Sequence, residues 1–159
     1  MQNLSQLSAV IEVELEKLDF PRKPEKLYQP IEYLIGLGGK RMRPILLLMA
    51  HQLFDDKIEK AISPALGIEI FHNFTLLHDD IMDQAPLRRG QQTVHEKWNK
   101  NVAILSGDTM LVQSYNFMAD VDQSIIKELL AVFNKTATQV CEGQQMDMDF
   151  ESQKEVPLQ

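Results

Sequence analysis

The stretch "SPALGIEIFHNFTLLHDDIMDQAP", Ser63 to Pro86, decides the fold. It is apolar over most of its length and shows no strand-like alternation. Ser63-Pro64 forms an N-cap and first-turn pair, and Pro86 cannot continue a helical ladder. The expectation is a helix from about Ser63 to about Gln84. Three aspartates, Asp79, Asp80 and Asp83, crowd its far end, and Arg88 and Arg89 follow just past the proline.

The flanking sequence reads the same way. Val10, Ile11, Val13, Leu15 and Leu18 place a first helix over roughly residues 3–19,. Pro21 and Pro24 end it. A second helix is expected from Pro30 to Leu37, stopped by "GLGG", Gly36 to Gly39,. "KRMRP", Lys40 to Pro44, opens a third that ends near Phe54. "APLRRGQQT", Ala85 to Thr93, reads as a loop. Helices then follow over about Val102–Ala119 and Ser124–Phe150, the last with Ile126, Leu129, Leu130, Phe133, Ala137 and Val140 at helical spacing,. The class is all-α.

Bulk properties narrow the function. At 159 residues the chain is the size of one domain,. Its net charge of -7 and pI near 5.1 argue against a general nucleic-acid binder,. A single cysteine, Cys141, forms no internal disulfide; it reads as a buried, inert thiol in a reducing compartment,. The longest apolar run, Pro44 to Ala50, is far short of the ~20 residues a membrane span needs,. The first twenty residues lack a basic n-region, so no signal or transit peptide is read there,. The expected location is cytoplasmic, without stable membrane insertion. From Gln145 to Pro157 the chain carries four acids, Asp147, Asp149, Glu151 and Glu155, and reads as a helix end or linker.

On a helix, Asp79 and Asp83 are neighbours at four residues and Asp80 and Asp83 at three. Like charges at that spacing repel by roughly 0.2–0.5 kcal/mol per pair. They also sit at the negative end of the helix dipole, which disfavours each by roughly 0.3–1 kcal/mol. A divalent cation reverses both effects, since hard carboxylate oxygens together with phosphate oxygens hold Mg²⁺. A solvated acidic helix end is the other reading, and local geometry leaves both open. Lys40, Arg41 and Arg43 lie at a glycine-rich turn opening a helix, where backbone N–H groups and arginine forks favour phosphate,. Acids for Mg²⁺ beside two basic clusters suggest an Mg²⁺-diphosphate site.

"GGKRMRP", "LLHDDIMDQAPLRRG", "SGDTML" (Ser106 to Leu111) and "GQQMD" (Gly143 to Asp147) together resemble the trans-isoprenyl diphosphate synthases, the polyprenyl synthetase family. "DDIMD" resembles the family's first aspartate-rich motif. The resemblance implies an isoprenoid synthase-type helical bundle around a deep apolar cavity. It implies a short- or medium-chain prenyltransferase that condenses isopentenyl diphosphate with an allylic diphosphate. Asp79, Asp80 and Asp83 would hold Mg²⁺ against the allylic diphosphate, which Arg88 would also contact. Lys40, Arg43, His72 and Arg89 would bind isopentenyl diphosphate. Lys40 and Arg88 join the aspartates as catalytic residues, and Gln144 and Asp147 match a motif on a later helix. Phe74 and Thr75 fall where the family sets product length. Farnesyl or geranylgeranyl diphosphate is the expected product, and Phe74→Ala is expected to lengthen it. A homodimer is expected.

The family's second aspartate-rich motif has no counterpart here. "MDMDFE" spaces Asp147 and Asp149 two apart. Residues 1–159 therefore resemble the N-terminal portion of a single domain, truncated to about its first half, and are expected to be inactive alone. A regulatory subunit or half-enzyme that needs a partner chain is the non-catalytic alternative. "EIFH", Glu69 to His72, also matches the Glu-x-x-His of di-iron bundles,. No second copy exists, because "HEKW" runs in the wrong order. His78-Asp79 matches the metal-binding pair of helical phosphohydrolases.

Overall fold

A computed structural model describes residues 2–151. Seven helices follow in order: α1 Leu4–Glu16, α2 Glu25–Gly36, α3 Met42–His51, α4 Glu59–Met82, α5 Val94–Lys97, α6 Lys100–Ala119 and α7 Ile126–Glu151. The all-α class holds. The chain divides into two compact units, residues 1–121 and residues 122–159.

In the first unit α4 is the central helix. It packs against α6, α3, α1 and α2. Eleven of its positions are buried, from Ala61 to Asp80, and they point to every side of the helix. A helix apolar all round belongs inside a bundle. α6 crosses it closely through small residues. A Cβ at Gly67 would sit 3.1 Å from Met118 Cε and from Phe117 Cβ, and one at Gly107 would run into the His78 ring. The core comprises Leu7, Ile11 and Leu15 of α1, Ile31 and Leu34 of α2, Ile45 and Leu48 of α3, Ile70 and Leu77 of α4, and Met110 of α6. Each such side chain contributes roughly 1.5–3 kcal/mol by leaving water.

Local chemistry sets the helix ends. Asn3 caps α1 in a reciprocal box with Gln6, and the Asn99 side chain accepts from the Val102 N–H to cap α6,. Two expected starts are corrected. α2 begins at Glu25, five residues before Pro30, and α4 at Glu59, before Ser63-Pro64. Pro30 and Pro64 are each the sixth residue of their helix and buried. A proline there removes one intrahelical bond, and packing outweighs that loss. Ser63 is no cap; its Oγ donates to the Phe117 carbonyl on α6 at 3.0 Å. α3 begins at Met42, with Arg41 as its left-handed N-cap residue, φ 47°.

The expected loop over Ala85–Thr93 contains a minimal hairpin, β1 Leu87–Arg88 paired antiparallel with β2 Gln91–Gln92. Two-residue strands leave no alternation to read. In the second unit, α7 follows the expected range closely. Cys141 is exposed, not buried, which corrects the expectation of a packed thiol. No described helix is long and apolar enough to cross a membrane.

Candidate functional site

α4 delivers acids at its C-terminal end and a histidine about two to three turns earlier; the turn before α3 and the β1–β2 hairpin deliver cations. Asp79 and Asp80 occupy the last turn of α4, and Asp83 is its C-cap. Asp80 is 3% exposed and locked to the hairpin. Arg88 Nε donates to Asp80 Oδ2 and Nη2 to Oδ1, both at 2.8 Å. This bidentate bond, with burial opposing it, raises the Arg88 pKa,. Asp79 and Asp83 make no ion pair within 4 Å among the described residues. Burial first, and repulsion from Asp83 second, push the Asp79 carboxyl above its ordinary range,.

The family resemblance implies that all three aspartates hold Mg²⁺. As placed, no group of three His, Cys, Asp or Glu side chains among the described residues is arranged to hold a metal ion. Asp80 instead holds Arg88. The donor chemistry nevertheless suits Mg²⁺. Its hard ion needs only one or two carboxylates beside phosphate oxygens, and the repulsion between Asp79 and Asp83 is what a cation relieves.

The basic side is a cleft of about 430 Å³ lined by Gly39, Lys40, Arg41, Met42, Arg43, Glu69, His72 and Arg89. It brings together Lys40, Arg43, His72 and Arg89, four of the predicted binding residues. Arg43 Nη1 lies 3.1 Å from His72 Nε2. Guanidinium can only donate, so Nε2 accepts and the imidazole is neutral. Burial, then the Arg43 charge, lower the His72 pKa in agreement. Burial and the charges of Arg41 and Arg88 likewise lower that of Arg89. Arg89 lies over the glycine turn: a Cβ on Gly39, φ +153°, would stand 2.8 Å from Arg89 Nη2. Only glycine lets that guanidinium settle there.

Arg41 departs from the sequence reading, which grouped it with the phosphate cations. It is 4% exposed and turned inward. Its Nη1 donates to Glu69 Oε1 at 2.8 Å, its Nε to Glu12 Oε1 at 3.1 Å and its Nη2 to the Ile35 carbonyl at 2.8 Å. Asn73 Nδ2 donates to the same Glu69 oxygen at 3.2 Å. Glu69 is thus committed to Arg41, which removes the di-iron reading of "EIFH". Reasoning from motifs missed Glu12 and Asn73, and placed Glu69 only in a di-iron motif. The available signal was a lone glutamate in the apolar run "PALGIEIF", a charge that must find a partner,.

Phe74 is half-buried on α4. Its ring centroid is 4.7 Å from that of His78, edge-on, and 5.7 Å from that of Phe71. Thr75 Oγ1 donates to the His72 carbonyl at 2.8 Å. His78 packs on Gly107 and lies 4.0 Å from Asp108 on α6. Gln144 and Asp147 lie on α7, in the second unit.

The fold and the site define a helical protein in which paired acids and a cation-lined cleft flank the C-terminal half of one central helix. The chain belongs to the polyprenyl synthetase family, whose family model matches residues 24–159. It is 39% identical over 151 residues to the geranylgeranyl diphosphate synthase of Methanosarcina mazei, covering 94% of this chain and 47% of that protein. A crystal structure of a geranylgeranyl pyrophosphate synthase superposes with a TM-score of 0.95 at 46% identity, over 99% of this chain and 48% of that one. The geranylgeranyl pyrophosphate synthetase of Geoglobus acetivorans gives a TM-score of 0.92 at 34% identity, over 98% and 51%. The chain spans about half the length of these relatives.

Proposed function

We propose that the chain is the N-terminal portion of an all-helical trans-prenyltransferase and contributes one side of its active site. The reaction joins isopentenyl diphosphate to an allylic diphosphate in cytoplasmic isoprenoid synthesis. The observation that carries this reading is that Asp79 and Asp83, at the end of the helix that also bears His72, and the cleft cations Lys40, Arg43 and Arg89 make no ion pair within 4 Å among the described residues, in a chain of this family.

The roles are those the family resemblance implies. Asp79, Asp80 and Asp83 hold Mg²⁺, and Arg88 leaves Asp80 for the allylic diphosphate as that substrate arrives. Bound Mg²⁺ supplies Lewis-acid neutralisation of the leaving diphosphate. Arg88 stabilises the charge that develops on the departing oxygen as the allylic C–O bond breaks. Lys40, Arg43, His72 and Arg89 hold isopentenyl diphosphate so that its double bond attacks the allylic carbon. The proton then lost passes to the released diphosphate. Gln144 takes part in substrate binding. Phe74 and Thr75 limit the growing chain, with geranylgeranyl diphosphate the product class that the names of the relatives favour. Exposed Leu105, Val112 and Tyr115 on α6 offer an apolar face for a homodimer,.

Asp147 and Asp149 of α7 stand two apart and do not make a second aspartate-rich motif, so the chain alone is expected to be inactive. The test is reconstitution. The purified chain, mixed with the C-terminal half of a matched relative, is assayed for condensation of labelled isopentenyl diphosphate with an allylic primer and Mg²⁺. Product from the mixture and none from either half supports the reading. Turnover by the chain alone would refute the half-site account. A mixture that associates but stays inactive favours a non-catalytic subunit.

A further inference from the structure

Four cations line the cleft before α3, Lys40, Arg41, Arg43 and Arg89, and one of them, Arg41, is buried and paired inward. From this we infer that Arg41 is a positioning residue, and that the Glu12–Arg41–Glu69 network sets the geometry with which the Lys40–Arg43 turn receives a diphosphate. This rests on the reading of the cleft as a diphosphate site.

Three elements converge on the one guanidinium. Glu12 comes from α1, the Ile35 carbonyl from the end of α2 and Glu69 from α4. Arg41 therefore ties the turn to every helix around it. Its own backbone is left-handed, φ 47°, a conformation an arginine holds only when its surroundings fix it,. That conformation lies between Lys40 and Met42 and directs the chain from the glycine turn into α3. Lys40 and Arg43 flank it, exposed and without a carboxylate partner within 4 Å among the described residues. Glu69, at 4% side-chain exposure, is also a wall of the cleft. A negative charge in an anion site weakens the site unless it has another task. Holding Arg41 is that task.

The sign of one substitution separates this role from simple electrostatics. Glu69→Ala removes a negative charge from the cleft, and charge alone would tighten anion binding. Loss of the anchor weakens it instead, because a small misplacement of binding groups is expensive. Glu69→Gln deletes the same charge and keeps an oxygen for Arg41 Nη1 and Asn73 Nδ2. The experiment is calorimetric titration of the 159-residue chain with inorganic diphosphate in the absence of divalent cations, with thermal melts as a fold control. The expected result is a Kd about tenfold weaker for Glu69→Ala and a Kd equal to or tighter than wild type for Glu69→Gln. If Glu69→Ala gives no cooperative melt, Arg41→Lys asks the same question. It keeps the charge and loses the fork, and the same weakening is expected. Glu69→Ala binding as tightly as wild type, or Arg41→Lys doing so, overturns the inference alone. A wild-type chain that does not bind diphosphate overturns the reading of the cleft and the inference with it.

Discussion

At the C-terminal end of α4, Asp80 is buried and locked to Arg88 while Asp79 and Asp83 repel each other and make no ion pair within 4 Å among the described residues. At the turn before α3, Arg41 is buried and locked to Glu69 while Lys40, Arg43 and Arg89 have no carboxylate within 4 Å among the described residues. The two regions carry opposite charge and share a plan. In each, one buried charge is neutralised inside the protein and fixes the local chain. The remaining like charges make no ion pair within 4 Å among the described residues, and we propose that a ligand or metal answers them. A motif shows residue types, and only the packing tells scaffold from ligand.

The comparison breaks most visibly at the scaffold positions. Arg41→Met strands Glu69 as a buried, unpaired carboxylate, and should cost about 3–5 kcal/mol in urea unfolding. The double variant Arg41→Met/Glu69→Leu should recover most of that, because an apolar pair of similar volume removes the stranded charge. A loss under about 1 kcal/mol for the single variant would place Arg41 with the ligand cations.

At the acidic end the expected effects are smaller, and the two neighbouring aspartates differ in sign. Asp80→Asn breaks the bidentate bond and leaves Arg88 half-buried without a carboxylate, for a loss of about 1–3 kcal/mol. Asp79→Asn, one residue away, should be neutral or stabilising by about 0.2–0.5 kcal/mol, since it removes repulsion with Asp83. Parallel destabilisation of both variants in thermal melts would mean that the acids form one structural cluster.

The mildest effect belongs to His72. Burial and Arg43 hold its pKa below the ordinary 6.5 in the fold. The unfolded chain therefore takes up a proton near pH 6.5 that the folded chain refuses until lower pH. His72 takes nothing from stability above that range and reduces it as pH falls through 6.5. His72→Gln should flatten this part of the stability-pH curve measured by denaturation.

Much of this architecture is legible in the sequence because it rests on local patterns. The central helix shows as a long apolar run without alternation, and the aspartates and arginines show as motifs in order. Proline is a misleading boundary signal for α2 and α4. Pro30 and Pro64 lie inside their helices because burial outweighs one missing hydrogen bond. The pairing of Arg41 with Glu69 was not legible, since it joins residues 28 positions apart on different helices. Gly39 showed as a turn residue, but its contact with Arg89 depends on the hairpin folding back over the turn.

The central claim is that the unpaired charges form two distinct diphosphate sites, one cationic and one completed by metal. It is tested most directly by the stoichiometry of inorganic diphosphate binding to the 159-residue chain, measured calorimetrically with and without Mg²⁺, for wild type and Asp79→Asn/Asp83→Asn. The account predicts one diphosphate per wild-type chain without Mg²⁺ and two with it. The double variant should bind one under both conditions. The same stoichiometry with and without Mg²⁺ in the wild-type chain would contradict it.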